Sequence, residues 1–298
     1  MQDLRRHQRN TTKEDAVLIP RIITAVVLLA LLLPALFASD ASYFAAITLV
    51  LIAAGCWEWG RLNGASGVVS GVAGAAIAVA LAYVWWLAPP WLPEHAGVMR
   101  GLWLLCAGAW VLGSAWLIRV GLSRWSNASA TARLLIGWAL LSLTWLAMAS
   151  AHQIGINFLL SLMVLVWVAD VAAYFGGRAW GKRKLAAAIS PGKTWTGAFS
   201  GAAAVMALAV AWVWFDAHYA TDSASIYTHL VKRSPVLLVV GVLWLTCMAV
   251  VGDLVESLVK RCAGVKDSSG LLPGHGGVLD RVDALLPVLP LGMMLVTV

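Results

Sequence analysis

Five carboxylates sit within or against long apolar stretches of this sequence. Asp170 ends the run Leu165-Val166-Trp167-Val168-Ala169, about six residues before Gly176-Gly177. That places it roughly 9 Å inside a helix that stops at the glycines. An ionised aspartate at membrane depth costs about 2.5–3.5 kcal/mol on insertion scales, so it needs a partner. Asp253 and Glu256 are spaced i,i+3, which puts them on one helix face, and Lys260 follows Glu256 at i+4. Asp280 and Asp283 repeat the i,i+3 spacing near the C-terminus. Acids gathered at one depth repel unless cations neutralise them. Oxygen-rich clusters of this kind suit Mg²⁺, which takes one or two carboxylates and leaves room for phosphate oxygens. The plain structural alternative is salt bridging between helices, to Lys260, Arg261 or Arg281.

Two glycine-containing segments have the chemistry to meet phosphate. Ser190-Pro191-Gly192-Lys193-Thr194 precedes an apolar run, so its amides and Lys193 can face an anion at a helix N-terminus. It is not a nucleotide-hydrolase P-loop, because position 187 is Ala and no strand is expected before it. Pro273-Gly274-His275-Gly276-Gly277 has glycines that permit close backbone approach.

The elements that must position these groups are membrane helices. The chain has 298 residues, 61% hydrophobic and only 12% charged, against about a quarter charged in soluble domains. Apolar runs cover roughly 20–38, 41–57, 66–88, 98–118, 133–151, 155–176, 195–215, 235–259 and 284–298. About 20 apolar residues cross a bilayer as a helix, and a helix satisfies its own backbone polar groups there. The expectation is an all-α polytopic bundle of about nine transmembrane helices, forming a single membrane domain over 1–298. Residues 1–19 read as a cytoplasmic arm, 20–151 as scaffold, and 155–298 as catalytic helices and cytoplasmic loops. The first run is long, contains Pro34 and lacks a clear cleavage site, so it reads as a retained span. Tryptophans near run ends, Trp57, Trp59, Trp91, Trp125 and Trp195, fit interfacial anchoring.

Charge supplies the orientation. With the N-terminus in the cytoplasm, all of the 21 Lys and Arg residues fall on cytoplasmic segments except Arg100, Lys232 and Arg233. That bias is the positive-inside rule, and it accounts for the net charge of +7 without nucleic acid. The same numbering brings all five carboxylates to the cytoplasmic side. Cys56, Cys106, Cys247 and Cys262 lie in or beside apolar runs without a CxxC pair and read as small buried hydrophobes.

The segment Ser257-Leu258-Val259-Lys260-Arg261, then Lys266-Asp267, then Leu272–Asp283 with Pro273-Gly274-His275-Gly276-Gly277 and Asp280-Arg281-Val282-Asp283, closely resembles the signature of the phosphatidate cytidylyltransferase family, without departure across 257–283. Asp170 with Ala173–Gly176, the Ser190–Thr194 loop with Trp195, and Cys56–Gly60 extend the likeness over most of the chain. The resemblance implies Mg²⁺-dependent attack by the phosphate of phosphatidic acid on the α-phosphorus of CTP, giving CDP-diacylglycerol and pyrophosphate at a bacterial inner membrane. Carried onto this sequence, it makes Asp253, Asp280 and Asp283 the first choices for metal ligands, with Asp170 and Glu256 also in the set. A second cation would suit a metal-pair mechanism. Ser190, Lys193, Thr194, Lys260, Arg261, Lys266, Gly276 and Gly277 become candidates for triphosphate contacts. Arg281 becomes a candidate for the lipid phosphate or pyrophosphate, and His275 for nucleotide contact or ligand orientation. A homodimer is the assembly it implies. The competing readings are a secondary transporter with intramembrane carboxylates and a related CTP-dependent kinase acting on a polyprenol-type lipid.

Overall fold

The computed structural model describes residues 2–87 and 93–297. The chain runs through α1 (Gln2–Leu36), α2 (Ala41–Leu62), α3 (Gly67–Leu87), a 3₁₀ turn at Pro93–His95, α4 (Ala96–Asn127), α5 (Ala130–Ile154) and α6 (Ile156–Trp180). A small antiparallel hairpin of β1 (Lys184–Ala186) and β2 (Ser190–Thr194) follows, then α7 (Trp195–His218), α8 (Ile226–Arg233), α9 (Pro235–Cys262), α10 (Leu279–Val282) and α11 (Leu285–Thr297). Among the described residues, eight helices are long and apolar enough to cross a membrane: α2 to α7, α9, and α1 from Ile19 onward. Their outer faces carry exposed Val, Leu, Phe and Trp, as a surface in contact with lipid requires. The protein is an all-α polytopic membrane bundle, apart from the hairpin.

Two expectations change here. The run at 284–298 is not a full span, because α11 has only 13 residues and contains Pro290. At 1.5 Å per residue it reaches about 20 Å, short of a hydrocarbon core of about 30 Å. It can be short because it is enclosed: Leu285 to Met293 are all buried, against α4, α5 and α9. The other change concerns tryptophan. Trp59 and Trp125 are buried and meet edge to face, with Trp59 Nε1 donating to the Arg133 carbonyl at 2.9 Å. They are core residues rather than interfacial anchors, and Trp91 lies outside the described residues. Cys56 and Cys106 are buried as expected, whereas Cys247 faces outward.

Helices pack closely where side chains are small. Cβ atoms added at Gly197 and Gly201 of α7 would stand 2.7 and 2.9 Å from the carbonyl oxygens of Ala173 and Ala169 on α6. This four-residue spacing of glycines lets two membrane helices come together backbone to backbone. At the end of these helices away from the acidic loops, a polar knot fixes their spacing. Asp222 accepts from the Ile156 and Asn157 amides at the start of α6. Asn157 in turn donates to Asp216 and accepts from Trp212 Nε1, both at 2.9 Å. The α6–α7 pair is thus clamped at one end and close-packed along its length, which fixes the other end, where the hairpin sits.

Gly201→Val tests this packing. It should lower stability in detergent by ~1–3 kcal/mol through overpacking, read as a fall in unfolding temperature. Gly108→Val, where an added Cβ meets nothing within 4 Å, should change it little.

Candidate active site

The hairpin brings Lys193 to α9. Its Nζ lies 2.5 Å from Asp253 Oδ2, and both side chains keep partial exposure. The pair lines a cavity of about 560 Å³ together with Asp170, Arg178, Lys184 and Thr194, within the range of small-molecule pockets. Thr194 ends β2 and caps α7, its Oγ1 accepting from the Gly197 amide at 3.1 Å. Lys193 is therefore held by a strand on one side and a capped helix on the other. Ser190–Thr194 forms strand β2 rather than a loop, and a strand, β1, does precede it. Asp283 completes this group: its carboxyl is raised well above the usual carboxylate range by burial and by the negative charge of Asp253. The cavity also borders the lipid-facing surface, because Tyr174, one of its walls, is exposed alongside Phe175 and Trp195.

The other two carboxylates belong to a second set. Lys260 Nζ bridges Glu256 Oε2 at 2.6 Å and Asp280 Oδ1 at 2.5 Å. Asp280 Oδ2 also accepts from the Ser268 amide and hydroxyl, both at 2.9 Å, and from the Gly277 amide at 2.8 Å. Burial alone would raise Asp280, but the Lys260 bond and the two amides outweigh it and hold the carboxyl at about 2. So the five acids do gather at one end of the bundle, but in two groups, each answered by one lysine. Among the described residues, no three His, Cys, Asp or Glu side chains stand together closely enough to hold a metal ion by themselves.

Glu58 was missed as a site residue and proves to organise the second loop. It is fully buried near the end of α2. Its carboxylate accepts from the Val278 and Leu279 amides at 2.9 and 2.7 Å, from Ser268 Oγ at 3.3 Å, and from Ser269 Oγ. Two acids, Glu58 and Asp280, thus share Ser268 and gather the amides of 277–279. Gly277 has to be glycine, since a Cβ there would fall 2.0 Å from Ser268 Oγ and 2.3 Å from Glu58 Oε1. Gly276 adopts φ +84° and accepts from the Leu272 amide at 2.8 Å, closing the turn. From α1, Arg21 Nε and Thr24 Oγ1 donate to the Gly274 and Pro273 carbonyls, both at 2.9 Å. The sequence did carry a signal for Glu58, an acid inside an apolar run like Asp170. It lacked the i,i+3 acidic partner that marks the Asp253–Glu256 and Asp280–Asp283 pairs.

The remaining candidates lie around the loop. Arg281 donates to the His275 carbonyl through Nε at 2.9 Å and through a second guanidinium nitrogen. His275 Nδ1 is buried without a partner among the described residues. Arg261 turns back to the Val265 carbonyl at 3.3 Å. Lys266 and Arg261 are exposed, and neither lines the cavity around Lys193 and Asp253. Arg178 and Lys184, which do line it, are cations that motif spacing alone did not single out. Arg178 also donates to Tyr174 Oη at 3.0 Å.

Two outcomes follow from these contacts. Replacing Glu58 with Gln substitutes an N–H₂ for an oxygen that faces donors. Losing charged hydrogen bonds worth ~1.5–3 kcal/mol should speed exchange of the Val278 and Leu279 amides at least about tenfold, measured by hydrogen–deuterium exchange. For Asp280, the folded-state value of about 2 lies below the ordinary 3.8. Its stabilisation is fully present above pH ~4 and is lost as pH falls toward 2, an effect of about 2 kcal/mol. Acid titration of the near-ultraviolet dichroism should show a loss in that window, which Asp280→Asn removes.

The cytidylyltransferase family profile matches residues 19–298. The phosphatidate cytidylyltransferase of Pseudomonas aeruginosa is 36% identical over 272 residues, covering 91% of this chain and 93% of that protein. The proteins of the same name from Haemophilus influenzae and Bacillus subtilis are 43% identical over 136 residues and 40% identical over 141 residues. Each of these matches covers 46% of this chain, and 44% and 46% of the respective relatives. The carboxylate and lysine groups, the cavity around Lys193 and Asp253 and these relationships agree, and the chain belongs to the cytidylyltransferase family.

Proposed function

We propose that this protein transfers the cytidylyl group of CTP to the phosphate of phosphatidic acid, forming CDP-diacylglycerol and releasing pyrophosphate. The observation that carries the reading is the Lys193–Asp253 pair in a cavity that also holds Asp170, Arg178 and Lys184 and borders the lipid-facing surface. Both reactants are phosphate anions, one of them confined to the bilayer, so the site needs cations, room for a nucleotide and access from lipid. The names of the relatives support the same substrates. The cation bias toward this end of the bundle supports a site facing the cytoplasm across a bacterial inner membrane. Neither solute transport nor polyprenol phosphorylation has comparable support, because the acids crowd one end and the relatives are cytidylyltransferases.

The donor set fits Mg²⁺ in the manner that suits phosphate substrates. Asp253 and Asp170 line the cavity and Asp283 adjoins them, all with hard carboxylate oxygens. A magnesium ion commonly takes one or two such ligands and completes its shell with water and substrate phosphate, so a cage made by protein alone is not required. When bound there, the ion would neutralise charge on the triphosphate as pyrophosphate leaves. We assign this role to one or two of the three carboxylates Asp170, Asp253 and Asp283. Glu256 and Asp280, held by Lys260, then set the position of the 268–279 turn. Lys193, Lys184 and Arg178 draw the phosphates into the cavity and stabilise charge that builds on the leaving group. No protein nucleophile is needed, since the phosphate monoester of the lipid carries its second charge near neutrality, its second pKa being about 6.

The test gives the purified protein labelled CTP, phosphatidic acid and Mg²⁺. A labelled liponucleotide should form, chelation should stop it, and Asp253→Asn should lower turnover by about two orders of magnitude or more while the variant still inserts. Label recovered instead on a polyprenol phosphate, or normal turnover by Asp253→Asn, would overturn the assignment.

A further inference from the structure

The opposite end of the bundle contains a second cavity, of about 570 Å³, that the proposed reaction does not use. It opens between the start of α4, the end of α5 and the end of α11, and its lining includes Arg100, Trp103, Ser150, Gln153, Met293 and Thr297. Along α4, Arg100 is separated from Leu122, whose carbonyl meets Cys262 at the acidic end, by roughly 33 Å of helix. The two cavities therefore face opposite leaflets.

Three observations give this cavity a ligand chemistry. Arg100 is exposed and, among the described residues, has no carboxylate within ion-pair reach and no carbonyl accepting from it. By contrast Arg233, also outside the cytoplasmic set, donates to the Leu295 and Val296 carbonyls at the end of α11. Ser150 is 7% exposed, yet its Oγ has no hydrogen-bond partner among the described residues. Hydroxyls inside membrane helices usually bond to the carbonyl four residues back, as Ser142 and Thr144 do here at 2.7 and 2.8 Å. The Ser150 hydroxyl is left unspent beside the cavity. Finally, Ala96 and Gly97, in the first turn of α4, carry no side chain large enough to close the cavity and form part of its wall. A guanidinium and a buried hydroxyl lining one cavity form a donor set for one anionic oxygen group.

Apart from Gln153 and Thr297 the rest of the lining is apolar, from Trp103, Met99, Ile154 and Met293, so the ligand has a hydrocarbon part. A single guanidinium matches the single charge of a phosphodiester, whereas the several charges of a nucleotide triphosphate would go unmatched. We propose that this cavity binds the headgroup of an anionic phosphodiester lipid, such as phosphatidylglycerol, from the leaflet opposite the catalytic cavity.

Native mass spectrometry of the full-length protein in detergent tests this with dioleoyl phosphatidylglycerol, and with dioleoylglycerol as the same chains without phosphate. One molecule of phosphatidylglycerol should be retained in preference to dioleoylglycerol. Arg100→Gln should reduce its retention about tenfold and Ser150→Ala by less, while Arg100→Lys keeps part of it. Turnover of labelled CTP, followed in parallel, should be unchanged in all three, which separates this site from the catalytic assignment. Equal retention by Arg100→Gln, or equal retention of dioleoylglycerol, would overturn the proposal. Displacement by millimolar inorganic phosphate would also overturn it, by showing an anion site indifferent to the lipid.

Discussion

A carboxylate withdrawn from water must have its charge answered, and that requirement shapes the acidic end of this protein. Two lysines on different elements do most of it. Lys193 reaches Asp253 from the hairpin, and Lys260 sits between Glu256 and Asp280 from within α9. The two differ in freedom. Lys260 is locked between two acids, one of which is bound by three further donors. Lys193 has a single acidic partner and stands at the edge of a cavity with room for another anion. The first arrangement holds a loop in place. The second leaves charge available for exchange, as a site that must accept and release phosphates needs.

The scaffold helices take a direct part in this. Glu58 crosses from α2 to take four donors in the 268–279 segment, and Arg21 and Thr24 reach the same turn from α1. Buried hydrogen bonds to a charged acceptor are costly to break in a medium that offers no substitute donors. The turn containing Gly276 and Gly277 is therefore fixed from three sides: by the first two helices, by Lys260 through Asp280, and by its own closing bond to Leu272.

Much of this was legible in the chain because lipid imposes a severe grammar. Each of the eight spanning helices falls on one of the long apolar runs, with ends within about five residues, and the acids inside or beside those runs do gather at one end of the bundle. What was not legible depended on distance in space. The division of the five acids into two groups follows from how α9, α10 and the hairpin cross, which i,i+3 spacing does not encode. Glu58 was visible as an acid but had no neighbour to assign it a task. Helix α8 was not expected, being eight residues with polar positions throughout. The run at 284–298 was as apolar as a span, and only its enclosure by other helices shows why it can stop short.

That enclosure has a consequence for how the protein is made. A segment of 13 residues with an internal proline is a poor candidate to partition into lipid alone. It becomes comfortable only after α4, α5 and α9 have arrived to surround it, and its far end is then tied down by Arg233. Asp280 and Asp283 lie immediately before it. The short helix therefore depends on helices earlier in the chain for its place, and the acids just before it are positioned only once those helices enclose it.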